Sequence, residues 1–148
     1  MLTGHQEPVT AGSSDQRGAR LEESQYKAGD GPCLAAIREQ ITIHVPDVSS
    51  EGRWPNYTAA TRKEGVGSSV SVPLLLEGDT AASLNLYSTT SHGFSGQDID
   101  MIQEYALRAS KALRLAVRIS NLEEATEHLA ADVESPNVTD VRPQQTNA

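Results

Sequence analysis

Residues 69–88, SVSVPLLLEGDTAASLNLYS, read as a β-hairpin. Val70, Val72, Leu74 and Leu76 alternate with Ser69, Ser71 and Pro73. A period of two sends the two sets to opposite faces of a strand. Glu77-Gly78-Asp79 is a tight-turn signal. On the return, Ala82, Leu84 and Leu86 alternate with Ser83, Asn85 and Tyr87. One face of the hairpin is therefore apolar, and the other carries serines, an asparagine and a tyrosine.

Upstream, Trp54-Pro55 opens a short helix, and Gly65 closes it. Ile41-Thr42-Ile43-His44-Val45 alternates as a half-buried strand does, and Pro46-Asp47-Val48-Ser49 ends it. Asp30-Gly31-Pro32 starts another helix, with Asp30 or Gly31 as cap and Cys33, Leu34 and Ile37 as its apolar face. Residues 1–20 are polar. Val9 and Thr10 read as the start of a short strand, and Met1-Leu2 as the end of another.

Downstream, Ser91 to Gly96 is a loop. Ser95 and Asp98 form a capping box for a long helix. Ile99, Ile102, Ala106, Ala109 and Leu113 make its core-facing stripe, supported by the Glu104–Arg108 pair one turn apart. With no glycine or proline before Pro136, the helix runs to about Ala131, on the order of 50 Å at 1.5 Å per residue. That overruns a small sheet. The overrun carries a second, rotated stripe of Leu115, Ile119, Leu122, Thr126, Leu129 and Val133, spaced alternately by four and three. Arg108, Lys111, Arg114 and Arg118 precede Glu123, Glu124 and Glu127, so an antiparallel partner helix would set basic against acidic residues. The expected organisation is one domain over residues 1–131, long helix included, and a disordered polar tail over 132–148.

Antiparallel strands, short mid-chain helices and a long terminal helix make an α+β fold. Aromatics are scarce at 4%, so the core is built from Leu, Ile, Val and Ala. A net charge of −8 opposes contact with phosphate backbones, which excludes direct nucleic-acid binding. The lone cysteine forms no internal disulfide and fits a reducing cytoplasm. No apolar run is long enough to span a membrane.

Chemistry-bearing residues are few. Cys33 sits in the first turn of a helix, where the dipole lowers a thiol pKa. That makes it either a reactive thiol or a small buried hydrophobe beside Leu34 and Ile37. His5, His44, His92 and His128 are scattered, with no metal-ligand spacing. Gly65-Val66-Gly67 precedes a strand instead of following one, so it is no nucleotide fingerprint. Neither a catalytic constellation nor a cofactor motif is present. The polar hairpin face offers Ser69, Ser71, Asn85 and Tyr87 as pocket residues, with Trp54 and Tyr57 to cover them. The alternative is a second, wet side of the sheet, with Trp54 in the core.

Gly29-Asp30-Gly31-Pro32-Cys33-Leu34 resembles the Gly-x-Gly-Pro-Cys segment of GAF domains from bacterial GAF–ANTAR regulators. Asp47 through Arg53-Trp54-Pro55 resembles their Asp…Arg-Trp-Pro segment. Ser71-Val72-Pro73-Leu74, Leu84-Asn85-Leu86-Tyr87-Ser88 and Phe94-Ser95 before Asp98 follow in the family's order, and the likeness covers about residues 15–120. The resemblance implies a GAF-like antiparallel sheet with helices on both faces and a long C-terminal helix. It further implies a cytoplasmic sensor that binds a small molecule or reports through its dimer helices; the reading adopted is non-catalytic, with the ligand at Cys33, Trp54, Tyr57, Ser69, Ser71, Asn85 and Tyr87. Its homodimer would form through Ile99, Ile102, Leu113, Leu115, Ile119, Leu122 and Leu129. There are three departures: the family's opening helix and strand are expected to be missing or shortened, Ala82 stands where glycine is usual, and a polar tail follows the long helix in place of the ANTAR module. Antitermination activity is therefore not carried over. Two alternatives remain, a ligand-free dimerisation module from a truncated regulator and a cysteine-based methionine sulfoxide reductase.

Overall fold

The computed structural model describes residues 2–3, 10 and 12–134. Its elements are β1 (Leu2–Thr3), α1 (Gln16–Ala28), α2 (Pro32–Glu39), β2 (Ile43–Val45), a 3-10 turn at Val48–Ser50, α3 (Pro55–Lys63), β3 (Ser68–Leu74), β4 (Ala81–Ser88) and α4 (Gly96–Glu134). The sheet is antiparallel throughout, in the order β1-β4-β3-β2. The chain divides into two units, Met1–Lys111 and Ala112–Ala148.

The hairpin forms as its alternation predicts, except that β3 ends at Leu74 and Leu76 lies past the ladder. Ser69 pairs with Tyr87, Ser71 with Asn85 and Pro73 with Ser83 on one face, while Val70, Val72 and Leu74 pair with Leu86, Leu84 and Ala82 on the other. Gly78 sits in the turn, and α2, α3 and α4 begin where the proline and capping signals put them. In the α4 box, Ser95 N–H donates to Asp98 Oδ2 (2.8 Å) and Asp98 N–H to Ser95 Oγ (3.1 Å). Gly65, at φ +77°, follows α3 in the left-handed conformation expected of it.

Both faces of the sheet are covered by helices. On the Val/Leu face, Val70, Val72, Leu74 and Ala82 are buried, as are Ala106 and Ser110 of α4. The Ser110 hydroxyl donates to the Ala106 carbonyl (2.7 Å) and accepts the Leu75 N–H (2.9 Å), tying the end of β3 to the helix. The other face was expected to be a pocket or a wet surface. Instead it holds the main core: Leu21 of α1, Ala35 and Ala36 of α2, Ile43 and Val45 of β2, and Val48, Trp54, Tyr57 and Val66. Burying a side chain such as Val45 or Leu21 completely stabilises the fold by about 1.5–3 kcal/mol.

The 13-residue α1, which follows β1, is a helix that the sequence pattern does not announce. Its buried residues are Leu21, Glu22 and Gln25, so two of the three are polar and apolar periodicity does not reveal it. Its ends are nevertheless well capped. The Asp15 carboxylate accepts from the Arg17 and Gly18 amides, and the Gly29 N–H returns to the Gln25 and Tyr26 carbonyls. Thr10 is not in a strand, and Val9 lies outside the described residues. β2 is shorter than read, because Ile41 and Thr42 precede the ladder. In the second unit, α4 continues to Glu134, past the expected end near Ala131; the rest of the expected tail lies outside the described residues.

The N-cap of α2 is Gly31, which supplies no side-chain hydrogen bond. The cap comes from α1: Gln25 Oε1 accepts the Cys33 N–H at 3.0 Å. Gln25 lies so close to Gly31 that an added Cβ would fall within 2.1–2.5 Å of its side chain, and Gly31 has φ +152°. Gly31→Ala is expected to cost about 1–3 kcal/mol through backbone strain and displacement of Gln25. Urea unfolding measures it, and an unchanged midpoint would contradict this account of the cap.

Candidate functional site

α1 places two groups of side chains against the hairpin. The first is a closed polar seam. The Gln25 amide donates to Cys33 Sγ (2.9 Å), the Ser71 hydroxyl donates to the same sulfur (3.6 Å), and the Tyr87 hydroxyl lies 3.8 Å from it. Beside them, the Tyr57 hydroxyl and Ser69 Oγ are 2.8 Å apart. Gln25, Cys33, Tyr57, Ser69 and Ser71 are all buried, so each polar group is satisfied inside the protein, as burial requires. Trp54 packs edge-to-face on Tyr57, with ring centroids 6.5 Å apart and planes at 83°. The Arg53 guanidinium lies 4.4 Å from the Trp54 ring centre and pairs with Glu51.

Burial decides the chemistry of this seam. Cys33 does sit in the first turn of α2, but removal from water outweighs the helix dipole and pushes its thiol up to about 11. Burial likewise holds the Tyr57 and Tyr87 hydroxyls above their usual range. Cys33 is a neutral, packed thiol, the bland reading of its sequence context.

The second group lines a cavity of about 500 Å³ in the first unit. Its walls are the start of α1 (Asp15, Arg17, Gly18, Leu21 and Glu22), the outer residues of β4 (Leu84 to Ser88) and Val66 and Phe94. Glu22 is buried in the wall, and its carboxylate accepts from Thr10 Oγ1 (2.8 Å), the Tyr26 hydroxyl (3.3 Å) and Asn85 Nδ2 (2.8 Å). That leaves Asn85 Oδ1 buried without a hydrogen-bond partner among the described residues. Asp15 is occupied otherwise: hydrogen bonds from Arg17 and the Gly18 amide hold its carboxyl below the usual range.

Of the residues expected to bind a ligand, the structure brings Asn85 and Tyr87 to this cavity. Cys33, Tyr57, Ser69 and Ser71 belong to the closed seam, and Trp54 to the core. The wall contributed by α1 was not anticipated. Its sequence signal was the pairing of Asp15 with Gly29 as caps at helical distance. Among the described residues, no group of three His, Cys, Asp or Glu side chains is placed to hold a metal ion. No helix among them is long and apolar enough to cross a membrane.

A family model described as GAF domain matches residues 2–113. No curated protein matches the chain. Three solved structures illustrate the likeness. GAF3 from Slr1393 of Synechocystis sp. PCC6803, in its photoproduct state, is 15% identical with a TM-score of 0.53, over 66% of this chain and 60% of that one. The GAF domain region of a Geobacter sulfurreducens PCA protein is 18% identical with a TM-score of 0.51, over 58% of each chain. A type II free methionine-R-sulfoxide reductase from Thermoplasma acidophilum is 22% identical with a TM-score of 0.44, over 56% of this chain and 55% of that one. The chain thus spans about 55–60% of their length. Identities this low speak to the fold alone, and the likeness to the reductase is too loose to bear on chemistry.

With its thiol at about 11 instead of 9.0, Cys33 has about a hundredfold less thiolate at pH 8 than an ordinary cysteine. Its reaction with a disulfide reagent in the native protein is expected to be slower than in urea by at least that factor. Equal rates in the two states would show that the thiol is open to solvent.

Proposed function

Because the chain belongs to the GAF domain family, we propose that it is a non-catalytic sensory or regulatory domain that binds a small molecule and signals through a helical dimer interface. It is of the type carried by bacterial GAF–ANTAR regulators and acts in the cytoplasm. The observation that carries the reading is the cavity between α1 and β4, which combines apolar walls with a few convergent polar groups. Leu21, Val66, Leu84, Leu86 and Phe94 offer apolar contact. Glu22 and Asn85 supply polar groups in its wall. A ligand that presents N–H donors beside a flat apolar body complements both.

Non-catalytic action is supported by the state of Cys33. A buried thiol held largely neutral is a poor nucleophile, which weighs against the reductase alternative. Dimer formation is supported by the exposure of Leu115, Ile119, Leu122 and Leu129 on α4. One observation favours a second reading, a ligand-free dimerisation module: the polar face of the hairpin behind Tyr87 is packed shut.

Native mass spectrometry separates the two. The purified chain is expected to appear as a dimer with retained mass. Gly18→Leu, which grows a side chain from α1 into the cavity beside Ser13 and Tyr87, is expected to shed that mass and keep the dimer. Where nothing is retained, thermal shift with purine bases and nucleosides replaces it, with wild type stabilised and Gly18→Leu unaffected. An empty dimer with no shift overturns ligand binding and leaves the dimerisation module.

A further inference from the structure

In the second unit, Leu115, Ile119, Leu122 and Leu129 are between 47% and 67% exposed. Four exposed large aliphatic side chains on one helix stripe need a cover. Their spacing defines a heptad with Ile119 and Thr126 at position a and Leu115, Leu122 and Leu129 at position d; the sequence continues the pattern at Val133. Isoleucine at a with leucine at d sets the strand number of a parallel coiled coil at two; the orientation is decided by the flanking charges. Arg118 falls at g and Glu123 at e, and in a parallel in-register pair each g faces the e five residues further along the other helix. Arg118 of one copy therefore meets Glu123 of the second, twice by symmetry. The antiparallel register that layers Ile119 on Leu129 and Thr126 on Leu122 instead sets the two Glu123 side chains against each other.

We propose that the stripe from Leu115 to Leu129 is covered by the same stripe of a second copy of this chain, in a parallel, in-register two-stranded coiled coil. This replaces the antiparallel pairing suggested by the sequence's charge blocks, and it rests on the helical dimer proposed above. Position a also carries specificity. Ile119 packs on Ile119, while the Thr126 hydroxyl, which donates to the Leu122 carbonyl at 2.9 Å, keeps its hydrogen bond inside the seam.

Spin labels at Glu124→Cys and Ala131→Cys test the orientation. Both sites are exposed and share heptad position f. The labels go into a Cys33→Ala background, or beside native Cys33 should that variant not fold, since the buried thiol escapes labelling. A parallel pair gives the same distance at both sites. The antiparallel register brings the 124 labels level but offsets the 131 labels by about 21 Å along the axis at 1.5 Å per residue. Unequal distances therefore overturn the orientation while leaving the dimer. The absence of any intermolecular distance, with a monomeric mass, overturns the dimer itself. Independently, Arg118→Glu is expected to weaken self-association about 2- to 30-fold, and adding Glu123→Arg is expected to restore it. Residues 118 and 123 are not neighbours on one helix, so this rescue needs a partner. Its failure counts against the parallel register.

Discussion

The architecture of the first unit depends on the Gln25 side chain. This amide is fully buried between α1 and α2, with its oxygen on the Cys33 N–H and its nitrogen on the Cys33 sulfur. It does for α2 what an N-cap side chain would do, from a different helix, because glycine at position 31 has nothing to offer and must be glycine for Gln25 to fit. An unpaired buried amide would cost about 1–3 kcal/mol. Gln25 therefore holds α1 in one place and one rotation. That same rotation presents Leu21 and Glu22 to β4, and with them the wall of the cavity.

Closure of the hairpin's polar face follows from this arrangement. Once α1, α2 and α3 cover the face, every hydroxyl on it must find an internal partner, and Ser69 and Ser71 do so with Tyr57 and Cys33. The open space left in this unit lies further out, between the start of α1 and the β4 residues Leu84 to Ser88. Asn85 lies at the junction. Its nitrogen is committed to Glu22, and its oxygen is the acceptor left over. The Arg20–Glu64 pair joins α1 to α3 at 2.7 Å, but it is partly exposed and contributes little beyond orientation.

The hairpin, both short helices with proline at their start, and the capping box of α4 were legible because each is specified locally. Alternation, proline at the first helical turn and a reciprocal Ser–Asp cap act within a few residues and need no tertiary partner. The α4 stripe was legible in part for the same reason: Ala106 is buried and Ile99, Ile102, Ala109 and Leu113 are half-buried, but the other buried residue of the helix is the polar Ser110. Asn85 and Tyr87, singled out because they lie on the polar side of an alternating strand, do line the cavity. Cys33, Ser69 and Ser71 look the same in sequence, yet the structure separates them from the cavity.

What the sequence by itself determined was the elements from α2 onward, their order and the two faces of the hairpin, all consequences of local backbone geometry and side-chain period. What only the tertiary structure decided was which polar residues are enclosed and which remain at a cavity. α1 shows the reason. Its buried residues include Glu22 and Gln25, whose burial is stable only because Thr10, Cys33 and Asn85 come from elsewhere to meet them. A polar side chain carries no sign in the sequence of the partner that will allow it inside. Hydrogen bonds between residues up to 63 positions apart exist only after the chain has folded, and they set the difference between a packed thiol and a cavity wall.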